Sequence, residues 1–288
     1  MYRLLSQSKT SQHIHGDNDS NHSSASYLPQ AVFLKDAIFA AGSFWELEAA
    51  ICRADSGAVR TAVGYFGGTI AKPSYNEVLE GKTGHTEAVK VTYDKRKTTY
   101  KSLCKLFFES HDPTNKDYLR FGASTHHRSA IFYTTEEEKK QAQESKVEQQ
   151  MKLNRRIVTK ITPANTSTFY LAESQNQKYY LQENQLRLCE CLSLRSAQHF
   201  ADSYLALKLN GIVSMEKKKA EDKLSSFLST YQVPDQAKLV LAEILCDLQL
   251  SNALEQSIGY FDAKETFRKT FLRNEISRIV FMVFYQTR

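Results

Sequence analysis

The sequence predicts an α/β or α+β sandwich followed by a separate helical appendage. Three observations carry that prediction. Strand and helix patterns alternate from Asp36 to about residue 180, which calls for a sheet covered by helices. From about Leu186 onward the patterns are mainly helical, and no internal repeat is visible. Hydrophobic residues make up 41% of the 288 and aromatic ones 11%, enough for a proper core in one large domain or two smaller ones.

Residues 1 to about 30 are polar, rich in Ser, His and Asn, and lack apolar periodicity, so residues 1–33 read as a disordered tail. His13, His15 and Asp17 within it read as solvated side chains rather than a metal site. Ala37-Ile38-Phe39-Ala40-Ala41 is a short apolar run ending at Gly42, suited to a buried strand. Helical character follows from Phe44 through Arg53. Val59 to Tyr65 reads as a second strand that ends in the Gly64 to Gly68 loop. Pro73-Ser74-Tyr75 leads into a short helix closed by Gly81. Thr86 to Tyr93 alternates, with Glu87, Val89, Val91 and Tyr93 on one face. Thr99 to Ser110 is an amphipathic helix with Leu103, Leu106 and Phe107 on its apolar face. Ala130 to Tyr133 is a strand, and Thr134 with Glu137 predicts a capping box for a charged helix reaching about Asn154. Ile157 to Ile161 and Phe169 to Leu171 are further strand candidates. In the appendage, 186–288, Asn210-Gly211 predicts a helix stop and Pro234 a break.

A net charge of +6 with acids and bases well mixed falls short of a nucleic-acid-binding signature. The most apolar late stretch, Ile279 to Tyr285, is far shorter than the roughly 20 residues a membrane helix needs. No apolar core of a secretory signal follows Arg3 and Lys9. A monomer in the cytoplasm is the expectation, although the Ser-rich, acid-free start before Asp17 leaves an organellar transit peptide open. The five cysteines, Cys52, Cys104, Cys189, Cys191 and Cys246, are odd in number and irregularly spaced, which suits a reducing compartment. Cys189 and Cys191 form a C-x-C pair without the second pair a zinc site needs, so no metal is expected.

The sharpest chemical signal is Gly42-Ser43-Phe44-Trp45. A strand runs into Gly42 and a helix starts at once, so residue 43 sits where free N–H groups and the helix dipole favour negative charge. An enzyme places a thiolate there, or binds an anion. Two aromatics follow, including the sole tryptophan of the chain. Glu87, on a strand face with Val89 and Val91, reads either as a half-buried carboxyl able to donate a proton near neutral pH or as a carboxylate paired with a nearby base.

These residues belong to a longer pattern. Gly42-Ser43-Phe44-Trp45, Gly64-Tyr65-Phe66-Gly67-Gly68, Pro73-Ser74-Tyr75, Gly84-His85-Thr86-Glu87, His111-Asp112-Pro113-Thr114, Arg128 to Tyr133 and Phe169-Tyr170-Leu171-Ala172-Glu173 occur in one order. Over roughly half the chain they resemble the motifs of the methionine sulfoxide reductase A family. The resemblance implies an α+β fold, a two-layer sandwich with a mixed sheet and a ferredoxin-like core, over residues 34–185. It also implies thiol-dependent reduction of methionine-(S)-sulfoxide in oxidised proteins or peptides, with no bound cofactor and with thioredoxin or another thiol as reductant. In that reaction a cysteine thiolate takes the sulfoxide oxygen and becomes a sulfenic acid, which a second thiol resolves. Phe44 and Trp45 match the aromatics that hold the substrate methyl group. Glu87 matches the acid that protonates the sulfoxide oxygen, and Tyr75 a phenol that hydrogen-bonds it.

Three departures bear on that chemistry. Ser43 stands at the nucleophile position, although some family members also carry Gly-Ser-Phe-Trp. A serine hydroxyl stays protonated there and has no sulfenic acid state. Ser43 and Glu46, where the family usually has glycine, are spaced as a capping box, which predicts a structural helix cap. The family's aspartate and tyrosine between Asp112 and Arg128 fall on Gly122 and His127, of which only His127 offers a hydrogen-bonding side chain. Its late acid, tyrosine and histidine positions read Ser174, Gln175 and Asn176. Cys52 points away from Ser43 on the same helix, at about 100° per residue. Cys104 reads as core. Cys189 and Cys191 fall roughly where the family has resolving cysteines. Two readings follow: a reductase working through other thiols, or a non-catalytic protein that keeps the methyl pocket and Glu87. The chemistry of Ser43 favours the second, a pseudoenzyme.

Overall fold

Alternating and β-branched residues build the centre of the molecule. The computed structural model describes residues 30–54, 56–116 and 125–258, and among them six strands form one mixed sheet. They are β1 (Leu34–Ala41), β2 (Ala58–Phe66), β3 (Thr86–Asp94), β4 (Ser129–Tyr133), β5 (Lys160–Pro163) and β6 (Tyr170–Leu171). Their spatial order is β5-β4-β1-β3-β2-β6, antiparallel throughout except for the parallel pair β4 and β5. The inner strands β4-β1-β3-β2 have the order expected of a ferredoxin-like core.

Helices α1 (Phe44–Arg53) and α3 (Tyr100–Glu109) cover one face. There Phe39, Val63, Val89, Val91, Tyr93 and Ile131 from alternate strand positions meet Leu47 and Ile51 of α1 and Leu103 and Phe107 of α3. Each such side chain contributes about 1.5–3 kcal/mol by leaving water. Helix α2 (Tyr75–Leu79) precedes β3, and α4 (Glu136–Gln150) packs on α3. The opposite face carries a small apolar patch of Ala40, Phe66, Ala88, Ala130 and Phe132, beside the charged Asp36, Arg60 and Lys90.

Six helices follow: α5 (Tyr179–Asn184), α6 (Leu186–Cys191), α7 (Ala197–Asp202), α8 (Tyr204–Val213), α9 (Lys217–Thr230) and α10 (Asp235–Ile258). They enclose a second core around Leu181, Leu188, Leu209, Phe227 and Leu241. Helix α8 serves both cores, with Leu207 in the first and Leu209 and Ile212 in the second. No helix among the described residues is long and apolar enough to cross a membrane.

Several local expectations need correction. The Thr134–Glu137 capping box does not form; the cap of α4 is Thr135, one residue later. Thr135 accepts from Glu138 N–H, and the Glu138 carboxylate accepts from the Thr134 N–H and hydroxyl, each at 2.7 Å. The strand predicted at Ile157–Ile161 starts only at Lys160, because Gln150 Oε1 takes the Ile157 N–H and the Pro113 carbonyl takes that of Val158. Asn210-Gly211 does not stop a helix; α8 runs through it. Asn210 Oδ1 accepts from Leu181 N–H at 3.0 Å. A Cβ at Gly211 would lie 2.4 Å from the Cys52 carbonyl, so only glycine lets α8 approach α1 this closely. The polar tail up to residue 29, Gly122 and Ile279–Tyr285 lie outside the described residues.

Candidate functional site

The site is built around the turn from β1 into α1. Gly42 makes the turn at φ +89°, a conformation open to glycine, and Ser43 follows as the N-cap of α1. The predicted Ser43–Glu46 box does not form, since the Ser43 side chain makes no capping bond. Glu46 is drawn outward, and its carboxylate accepts from the Tyr180 hydroxyl of α5. The first N–H of the helix is capped from across the sheet instead. Phe44 N–H donates to Glu87 Oε2 at 3.0 Å, so a strand carboxylate occupies the positive end of the helix.

Glu87 is only 2% exposed, although it sits on a strand otherwise lined by Val89 and Val91. Its second oxygen, Oε1, lies 3.3 Å from His127 Nε2, and the His127 side chain is 43% exposed. Thr86 fixes that neighbour's position, donating its hydroxyl to the His126 carbonyl at 2.6 Å. The sequence-predicted Glu87, His127 and Phe44 therefore converge.

Aromatic rings surround this point. Phe44 is fully buried, with Trp45, Tyr65 and Tyr75 at centroid distances of 5.9, 6.1 and 6.5 Å. Burial pushes the Tyr75 phenol above its ordinary range, and the charges of Glu87 and Glu173 act in the same direction. Tyr65 rises for the same first reason, reinforced by its 2.6 Å hydrogen bond to Glu173. Burial alone would raise Glu173; the bonds it accepts from Tyr65 and from the N–H of Tyr75 outweigh that and hold it below the usual carboxylate value. Asn176, in the altered late motif, donates to the same carboxylate at 3.0 Å, and Ser174 and Gln175 share its short 3₁₀ turn.

Two other motifs are structural. Gly68 N–H donates to His85 Nδ1 at 3.1 Å and His85 Nε2 meets the Ile70 carbonyl at 2.8 Å, so the neutral ring ties the glycine loop to the start of β3. His111 bridges the Phe107 carbonyl and Ser129 Oγ, while Asp112 closes its turn on Thr114 and pairs with Arg155.

The thiols lie elsewhere. Cys52 and Cys104 are buried in the first core, where desolvation raises each to about 12. Cys189 is buried in the second core and raised by burial to about 11; Cys191 is partly exposed at the end of α6. Among the described residues no three His, Cys, Asp or Glu side chains are grouped as metal ligands. A groove of about 620 Å³ crosses the opposite sheet face between Lys35, Arg60, Lys90 and Phe169, and no residue of the aromatic site lines it.

The sequence reading missed one wall of the aromatic site. Tyr179 stacks on Trp45 with centroids 4.1 Å apart and planes 15° from parallel. Beside it, Lys178 and Glu48 form an ion pair at 2.8 Å in which both side chains are wholly buried. A charged residue midway along an amphipathic helix carries no signal that its partner lies 130 positions away.

The sequence profile of peptide methionine sulfoxide reductases matches residues 35–208, which span the sheet and its covering helices. The chain belongs to this family. It is 44% identical over 149 residues to the peptide methionine sulfoxide reductase MsrA of Methanoculleus marisnigri, covering 51% of this chain and 89% of that protein. The chloroplastic A4 enzyme of Arabidopsis thaliana is 42% identical over 143 residues, 50% of this chain and 54% of its own. Mxr1 from Saccharomyces cerevisiae in its reduced form is a solved structure with a TM-score of 0.48 and 30% identity, over 54% of this chain and 88% of Mxr1.

Proposed function

We propose that this chain recognises methionine-(S)-sulfoxide in oxidised proteins, and that Ser43 leaves it with little or no turnover of its own. The observation that carries the reading is the buried Glu87. Its carboxyl group bonds the first N–H of α1 and faces His127 beside the Phe44, Trp45 and Tyr75 rings. Aromatic faces suit the methyl group of a sulfoxide, and the protic groups of Glu87, His127 and Tyr75 suit its oxygen. Ser43 stands where the family's thiolate attacks, in a group of members with serine at that position. A cysteine thiolate takes the oxygen and becomes a sulfenic acid, giving the sulfoxide two electrons, and a dithiol reductant such as thioredoxin then supplies two electrons that restore the thiol, with the oxygen leaving as water. A hydroxyl oxygen has no such state.

The buried thiol of Cys189, raised to about 11, supports the non-catalytic reading over one in which Cys189 supplies the nucleophile. Residues 34–185 carry the recognition surface in this reading, and 186–288 a packing or partner-binding role. The test is reduction of a methionine-(S)-sulfoxide peptide by the full chain with dithiothreitol. The native chain is expected to bind the peptide without reducing it, and Ser43→Cys to gain turnover. Native reduction that disappears when Cys189 and Cys191 are replaced would overturn the non-catalytic reading. Absence of peptide binding by both the native chain and Ser43→Cys would overturn recognition itself.

A further inference from the structure

Tyr179 stacks on Trp45 and so forms one wall of the aromatic site, and its placement has a visible cause. Gln177 is locked to β2: its side-chain oxygen accepts from Val63 N–H at 3.0 Å, and its amide donates to the carbonyls of Val63 and Ala172. Lys178 is then held at φ 48°, a left-handed conformation that a non-glycine residue keeps only when its surroundings over-determine it. Both ends of Lys178 grip α1. Its N–H donates to Glu48 Oε2 at 2.9 Å, and its Nζ donates to Glu48 Oε1 at 2.8 Å and to the Thr61 carbonyl at 2.7 Å. Thr61 Oγ1 completes the network with a 2.9 Å bond to the same carboxylate. Glu48 lies three residues beyond Trp45, on the same side of α1. The helix that carries the Trp45 ring thus also carries the anchor of the next residue in the chain, Tyr179, which covers that ring. Tyr180 adds an outer bond to Glu46.

We infer that the Lys178–Glu48 ion pair is a positioning device for sulfoxide recognition: it sets Tyr179 against Trp45 and so fixes one wall of the methyl pocket. Lys178 acts through Tyr179, since its own side chain is wholly buried and spent on Glu48 and Thr61. A buried pair this completely bonded has one geometry open to it, which suits a positional role better than a gain in stability. The inference rests on the proposed recognition of methionine sulfoxide, but its spectroscopic consequence does not.

Trp45 is the sole tryptophan, so its fluorescence reports this wall directly. The full-length chain is compared with Tyr179→Ala, with the double variant Lys178→Met/Glu48→Gln, which leaves no orphaned charge, and with Glu48→Asp, which keeps the charge but shortens the tether. The expected result is that the folded double variant reproduces Tyr179→Ala: Trp45 becomes more accessible to acrylamide and its emission shifts to the red. Affinity for a methionine-(S)-sulfoxide peptide falls about fivefold to tenfold, the worth of one aromatic contact. Glu48→Asp moves both readouts the same way by less. Unchanged Trp45 emission and quenching in the folded double variant, with only the melting temperature lowered, would sink the inference. If the double variant does not fold, unchanged Trp45 behaviour in Glu48→Asp does the same. If the native chain binds no peptide, the recognition reading fails alone, and the Trp45 readouts still decide the positioning role.

Discussion

Two carboxylates meet α1 at different points, and their surroundings are opposite. Glu87 reaches the first turn from β3; one oxygen is spent on Phe44 N–H, and the other faces the partly exposed His127 beside four aromatic rings. Glu48 sits one turn further on, and its oxygens are saturated by Lys178 and Thr61 with no solvent in reach. The first arrangement links a buried carboxylate to a histidine that is itself partly exposed, which is what a binding or proton-donating site needs. The second leaves nothing to donate or accept, and what it supplies is position. Proximity to the same helix does not give two acids the same task.

The comparison can be broken from its rigid side first. Lys178→Met alone strands the Glu48 carboxylate in the core and is expected to cost about 3–5 kcal/mol in urea unfolding, largely recovered by adding Glu48→Gln. An equal loss in the single and double variants would show that the charge is not what matters. Leu188→Ala, in the second core and fully buried, is expected to cost about 3 kcal/mol while Trp45 emission stays native. A shifted Trp45 spectrum there would make the two cores one unit.

A smaller effect follows from pH. Burial holds the imidazoles of His85 and His111 below their ordinary value, so both stay neutral in the fold after they have begun to charge in the unfolded chain. Their contribution is complete above the free value of about 6.5 and is lost as pH falls through it. Melting temperature is therefore expected to drop between pH 7.5 and 5, and less so in a folded His111→Gln variant; equal drops would place the acid sensitivity elsewhere. Smallest of all is Tyr180→Phe, which removes the exposed bond to Glu46 and is expected to cost less than about 1 kcal/mol. Loss of peptide binding in that variant would move that wall's fastening from Lys178 to Tyr180.

Local patterns were legible where the chain needed no distant partner. The alternation Glu87-Val89-Val91-Tyr93 and the apolar face Leu103-Phe107 gave β3 and α3, since period follows from backbone geometry alone. Capping was the weak point. Ser43-x-x-Glu46 has the right spacing, but Tyr180 offers Glu46 a partner and Glu87 takes the Phe44 N–H, both from far along the chain. Asn210-Gly211 has the composition of a turn, yet α8 continues because the side chain has a bond to make on Leu181 and the glycine a surface to meet at Cys52.

By itself the sequence determined the order of elements, the aromatic pair after Gly42 and a serine hydroxyl at position 43, because each is written in neighbouring residues or in one atom's chemistry. Only the tertiary structure decided what surrounds them. That Glu87 caps α1, that His127 faces it, and that Lys178 and Glu48 hold Tyr179 on Trp45 all depend on contacts between residues 40 to 134 positions apart. Burial and hydrogen bonding choose such partners after the chain has closed, and sequence spacing carries no record of the choice.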